Sequence, residues 1–228
     1  TVTEAEELIA LAERTNIKGQ VGHVERFNPA LLSVQEVNMD PMFIEAHRLA
    51  QFNPRGTDVS VVMDLMIHDL DIVLSLVKAE VTQISASGVA IVSKTPDLAN
   101  ARLEFANGCV ANLPASRISM KNMRKVRLFQ PDAYISLDFL EKKAEVIRLF
   151  EQESDIPHGL QTFPLDLGEQ TRYIAVESPD SPPVNAIQKE LESLAMAVLE
   201  NTPVTVPRKD GLNALRIAHA IHLEIGHR

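Results

Sequence analysis

Apolar and polar positions alternate in two regimes along this chain, helical at both ends and strand-like in the middle. Leu8, Ile9, Leu11 and Ala12 recur at helical spacing, and Thr3 with Glu6 three residues later forms a capping box, predicting a helix that ends near Asn16. Residues 19–24 read as a short strand. The Asn28-Pro29 step starts a helix through about residue 37, and 42–52 read as a second strand. Between residues 60 and 77, Val62, Leu65, Met66, Ile72, Val73, Leu76 and Val77 mark a long, largely buried helix.

Beyond it come short β-rich runs at 81–93, 98–106, 109–118, 124–130, 133–139 and 144–150. Ala106-Asn107-Gly108 and Gln130-Pro131-Asp132 supply hairpin turns, so these runs predict an antiparallel meander. Residues 152–183 contain Pro157, Pro164, Pro179, Pro182 and Pro183 without sustained periodicity, and predict a long surface excursion. Helical spacing returns at 185–201 and 210–225, joined by a connector at 203–207. The fold class is therefore α+β: a mostly antiparallel open sheet with helices packed on one face. A symmetric partner is the economical cover for the other face, so a homodimer or homotetramer through the sheet is expected.

At 228 residues, 45% hydrophobic and 23% charged, the chain has material for one large core. Its 31 acidic residues exceed its 22 Lys and Arg, giving a net charge of −9, which disfavours nucleic acid as a partner. The densest basic stretch, Lys121, Arg124, Lys125 and Arg127, reads as a solvated turn and strand edge, with a phosphate-bearing substrate as the alternative. Cys109 is the single cysteine and excludes an intramolecular disulfide, consistent with a reducing compartment. No apolar run approaches the roughly 18 to 20 residues needed to span a bilayer, and a cytoplasmic location is expected. The chain opens on a helix and without Met, which suggests a preceding segment.

Ionisable groups interrupt an apolar helix at Asp64, His68 and Asp71, which stand at i, i+4 and i+7. Four residues turn a helix by about 400° and advance it about 6 Å, so Asp64 and His68 share a face. A carboxylate beside an imidazole suits a histidine acting as general acid and base. The other reading is a satisfied buried histidine with a capping aspartate. Zinc would need a third ligand, and nothing places His23 or His47 nearby; no metal is expected. Gly22-His23-Val24-Glu25-Arg26-Phe27-Asn28-Pro29 forms a second constellation, either a ligand-site edge or a charged segment with Asn28 capping a helix at Pro29.

Together these motifs resemble the Gfo/Idh/MocA family, which includes glucose-fructose oxidoreductase and inositol 2-dehydrogenase. Asp64 and His68 match its Asp-x-x-x-His pattern, His23 to Pro29 resembles its Arg-Phe-x-Pro segment, and Pro203-Val204 with Asp210 to Leu215 resembles its terminal helix signature. The resemblance implies that His68 moves the substrate hydroxyl proton while hydride passes to a nicotinamide, that Asp64 orients or assists it, and that Arg26 and Asn28 line the substrate pocket. Asp71 keeps a structural reading. The implied cofactor is NAD or NADP, yet the chain lacks a Gly-x-Gly-x-x-Gly motif and the family's Glu-Lys-Pro lysine. It is expected to be the C-terminal part of a longer enzyme and inactive alone, with residues 1–17 as a residual helix of the nucleotide-binding domain and 18–228 as the substrate-binding and oligomerisation domain. The run from Asp58 to Asp71 resembles the branch acting on UDP-linked amino sugars, implying oxidation of the 3-hydroxyl of UDP-N-acetylglucosamine. A non-catalytic oligomerisation scaffold and a sugar-binding module are the competing readings.

Overall fold

A computed structural model of the chain describes residues 1–168 and 170–226. Helix α1 (Val2–Thr15) begins two residues earlier than the pattern predicts, because Thr1 with Glu4 forms the same capping box as Thr3 with Glu6 and adds half a turn. It ends at Asn16 in the left-handed conformation.

The expected strand at 19–24 does not form; Gln20 alone pairs with Pro207 in an isolated bridge, and Val24–Phe27 is a 3-10 turn. The Gln20 side chain explains this. It donates to the Glu190 carbonyl and Ser193 and accepts from the Thr205 and Val206 amides, tying the segment down through a side chain instead of a ladder. Helix α2 (Pro29–Leu32) is also shorter than expected. Past it the backbone bonds tighten to the i, i+3 pattern, and residues 33–37 run on as turns.

Nine strands form one sheet: β1 (Phe43–Leu49), β2 (Val81–Val89), β3 (Leu98–Phe105), β4 (Val110–Ser116), β5 (Met123–Phe129), β6 (Ala133–Asp138), β7 (Lys143–Phe150), β8 (Gln161–Asp166) and β9 (Thr171–Glu177). Their spatial order is β2-β3-β4-β1-β5-β6-β7-β9-β8. The predicted meander is thus interrupted. β1 lies between β4 and β5, parallel to the first and antiparallel to the second. The supposed excursion at 152–183 holds the β8–β9 hairpin, and its Pro164 is tolerated because β8 is an edge strand. β2 stops at Val89 rather than 93, because the Ile91, Val92 and Ser93 amides turn to donate to Asp97.

Alternation decides which face is buried. Ile44 and Ala46, Ala99, Ala101 and Leu103, Ala111 and Leu113, and Val126 and Leu128 point to the core. Against them pack helix α3 (Ile67–Leu76) through Leu70 and Val73, and helix α5 (Arg208–Gly226) through Ala218 and Ile221. The central alanines let α3 approach the sheet closely. Helix α4 (Ala186–Leu199) packs on the Val24–Phe27 turn.

The helix predicted at 60–77 is not α-helical throughout: Val62–Met66 forms a wider π-helical turn before α3. Such turns recur where side chains must be re-aimed at functional sites.

Candidate functional site

The face around His68 is built by four elements: the Val24–Phe27 turn, the start of α3, the end of β1 and the start of β5. In β1, Ile44 and Ala46 point inward, and strand alternation turns Arg48 the same way. A buried guanidinium requires partners, and Arg48 has two. It grips Asp69 with two bonds of 2.9 and 2.8 Å and reaches Glu25 at 3.3 Å. Burial alone would lower the Arg48 pKa, but the charges of Asp69 and Glu25 raise it. The same Glu25 oxygen accepts from Arg124 at 3.2 Å.

His68 is half-buried above this network. Burial pushes its pKa down to about 4, aided by the positive charge of Arg48, by His23 and by Arg124, against the opposing pull of Glu25. The imidazole is therefore neutral at neutral pH, the form that can accept a proton. Its Nδ1 is buried without a partner. His23, also buried, stands edge-on to His68 with ring centroids 5.9 Å apart.

The structure distributes the other predicted residues differently. Asp64 makes no side-chain hydrogen bond to His68; both its oxygens lie 3.9 Å from where a β-carbon on Gly56 would sit, under a turn that Gly56 enters at φ +77°. Asp71, for which the sequence favoured a structural reading, is buried. It accepts from Arg26 at 2.6 and 3.0 Å, and Arg26 also reaches Asp210 at 3.1 Å. Asn28 caps α2 by accepting from the Ala30 amide, and its amide group donates to Glu25 and to the Phe139 carbonyl. Both amide hydrogens of Asn28 are thereby engaged within the protein.

The basic stretch divides in the same way: Arg124 pairs with Glu25, Lys125 with Asp138 and Arg127 with Glu45, and Lys121 is exposed on the preceding turn. His47 alternates with Arg48 and so faces the opposite side of the sheet from His68. Among the described residues, no three His, Cys, Asp or Glu side chains stand close enough to share a metal ion.

Of the residues around His68, Arg48 and Asp69 were not singled out from the sequence, Glu25 and His23 were read only as part of the 22–29 segment and Arg124 only as part of the basic stretch, and the expectation that nothing places His23 near His68 is corrected by the fold. The signal for Arg48 was available, a cation at an inward position of an alternating strand. For Arg124 it was not, since only the placement of β5 beside β1 brings it to Glu25.

Residues 33–133 match the family model described as the GFO/IDH/MocA C-terminal domain. The UDP-N-acetylglucosamine 3-dehydrogenase of Acidithiobacillus ferrooxidans is 34% identical over 223 residues, spanning 97% of this chain and 67% of that protein. A solved structure of that dehydrogenase superposes with a TM-score of 0.84 at 32% identity, covering 98% of this chain and 67% of the other. A levoglucosan dehydrogenase in complex with NADH and L-sorbose shares the fold at 15% identity, with a TM-score of 0.78 over all of this chain and 69% of that one. An aldose-aldose oxidoreductase from Caulobacter crescentus does so at 19% and 0.76, again over all of this chain and 67% of that one. With that match to a curated oxidoreductase and the sheet and helices of the C-terminal domain, the chain belongs to the GFO/IDH/MocA family.

Proposed function

We propose that this chain handles the proton in an NAD(P)-dependent dehydrogenase site that oxidises a secondary hydroxyl of a sugar or nucleotide-sugar. The 3-hydroxyl of UDP-N-acetylglucosamine is the substrate we favour, on the 34% identity to a dehydrogenase of that name. The observation that carries the reading is the half-buried His68, kept neutral first by its burial and then by the positive charge of the buried Arg48 beneath it. A nicotinamide, when bound, accepts the hydride. No Gly-rich turn of this chain fits its phosphates, so the residues described offer the substrate side alone.

His68 takes the hydroxyl proton, and the neighbouring cations then favour its release rather than its retention. Asp64, on the preceding π-helical turn, orients the sugar or the imidazole. Arg26, locked by Asp71 and Asp210, braces the wall of the site. Arg124 is half-exposed and offers a cation to a phosphate-bearing substrate. We take residues 1–17 as an appended helix and 18–228 as the substrate and assembly domain, a division supported by the lack of any buried residue in α1. No helix among the described residues is long and apolar enough to cross a membrane, and with its lone buried cysteine we place the protein in the cytoplasm.

The test is reduction of NAD+ and NADP+ by the protein at its natural full length, with UDP-N-acetylglucosamine, free sugars and inositols as substrates. His68→Ala is expected to lower kcat/KM at least about a hundredfold. A folded protein inert with every pairing would overturn the dehydrogenase reading in favour of a scaffold or sugar-binding module.

A further inference from the structure

Asp64 is the member of the site whose orientation no hydrogen bond sets. Its carboxylate is half-buried and accepts no hydrogen bond among the described residues. What it faces is the turn that follows Pro54. A β-carbon on Gly56 would lie 3.9 Å from each of its two oxygens, and beyond the chain neighbours no other atom comes within 4 Å of that point. The carboxylate therefore meets the turn squarely. The last torsion of an aspartate is soft, so a wall on one side is what selects its angle.

The wall has little to hold itself. Residues 53–55 and 58–59 are exposed, Gly56 stands at φ +77°, and the backbone bond closing the turn, from the Val59 amide to the Gly56 carbonyl, is 3.4 Å long. Neighbouring segments hold it instead. The Val61 amide donates to the Pro96 carbonyl at 2.9 Å, and Thr95 Oγ1 lies 3.1 and 3.0 Å from the Thr57 and Val59 carbonyls, which share its single proton. Arg117 spans the turn from end to end. Its guanidinium donates to the Gly56 carbonyl at 2.9 Å and to the Val59 carbonyl at 2.6 Å, a use of the planar fork that no other side chain reproduces.

Arg117 is itself anchored. It is 4% exposed, follows β4 directly, donates its amide to the Asp97 carbonyl at 2.9 Å and has the Asp97 carboxylate 4.0 Å from Nε. Burying a guanidinium is costly, and here what it secures is the shape of one turn. The chain of contacts runs from the end of β4 through Arg117 to Gly56 and Val59, and from Gly56 to Asp64.

We propose that Arg117 is a positioning residue: by fixing the Gly56–Val59 turn it fixes the angle of the Asp64 carboxylate in the candidate site. The proposal rests on the dehydrogenase reading, in which Asp64 orients the sugar or the imidazole. Two consequences separate it from a role in stability alone. Loss of the fork must act on turnover more than on sugar binding, because a carboxylate at the wrong angle misplaces the reacting groups. That loss must also require Asp64 to be present.

The test is a cycle of single and double substitutions in the full-length protein, with NAD+ and NADP+ as acceptors and UDP-N-acetylglucosamine as substrate, run beside hydrogen exchange. Arg117→Lys keeps the charge and loses the fork, and is expected to lower kcat at least about tenfold with KM changed less than about threefold. In an Asp64→Asn background the same substitution should change kcat less than about twofold. Exchange at the Val59 and Val61 amides should quicken in the Arg117 variant whether or not Asp64 is present. Gly56→Ala presses a methyl toward the carboxylate with Arg117 intact, and should reproduce the Asp64-dependent loss. If Arg117→Lys does not fold, Gly56→Ala decides. Equal losses with and without Asp64, unchanged exchange at Val59 and Val61, or an unchanged kcat in the folded variant would overturn the positioning role. A native protein that turns over no sugar, with exchange at the turn still governed by Arg117, would discard the dehydrogenase reading and reduce Arg117 to a structural clamp.

Discussion

A histidine with a pKa near 4 is uncharged through the whole range in which most proteins work, so His68 links folding to pH in a direction that can be worked out. Its ordinary value is 6.5. Between 6.5 and about 4 the unfolded chain binds a proton that the folded chain refuses, and stability must fall as the pH falls through that window and stay level above it. Urea unfolding at pH 7 and pH 5 should therefore show a smaller loss in His68→Gln than in the parent, by about 1 kcal/mol once solvent screening is allowed for. An equal loss in both would show that His68 is not held neutral. The polar residues on the apolar helix were legible from sequence because a carboxylate and an imidazole break a hydrophobic stripe; so was the capping role of Asn28, from the proline that follows it. The Glu25–Arg48–Asp69 cluster was not, since its members come from a turn, a strand and a helix, and local spacing carries no information on which of these meet.

Elements with a clean period were readable: the two C-terminal helices and the strands between residues 81 and 150 match their predicted spans to within a few residues. Those whose backbone is satisfied by side chains were not. Gln20 replaces a ladder at 19–24, and Asp97 cuts β2 short by gathering the Ile91, Val92 and Ser93 amides at 2.7 to 2.9 Å. Burial opposes the charge of Asp97, but these amides outweigh it and hold the carboxyl well below the usual carboxylate range. Beside it, Arg117 donates to the carbonyls of Gly56 and Val59, so the turn over Asp64 is anchored from the same place. Asp97→Ala should strip three amides of their buried, charged acceptor and cost about 3 kcal/mol. In hydrogen exchange, protection should drop at residues 91–93 first and extend to 56–59; a loss confined to 91–93 would show the two loops to be independent.

At the scale of the molecule, the side of the sheet away from α3 and α5 carries a row of apolar residues, one from each of six neighbouring strands. Val110, Phe43, Phe129, Tyr134, Ile147 and Val176 are paired in register across β4, β1, β5, β6, β7 and β9. Phe129 touches both Phe43 and Tyr134, with ring centroids 6.1 and 5.1 Å away. Charged pairs, Arg127 with Glu45 and Lys125 with Asp138, flank the row. We propose that the expected homodimer or homotetramer would bury this band and its polar border. Sedimentation should give a mass above that of one chain for the parent and a lighter species for Phe129→Glu; a parent that sediments as a single chain would remove this assembly.

The insertion of β1 between β4 and β5 also bears on how the molecule comes into being. Leu49 leaves the ribosome long before Val110 and Phe129, the ends of the slot that β1 fills. Until both neighbours exist, Arg48 has no buried side of a sheet to point into, and Arg124 has not yet been made. Every nascent chain that stops short of Met123 therefore lacks both the second flank of β1 and Arg124, so the middle of the sheet and the last charge beside His68 arrive in one step of synthesis.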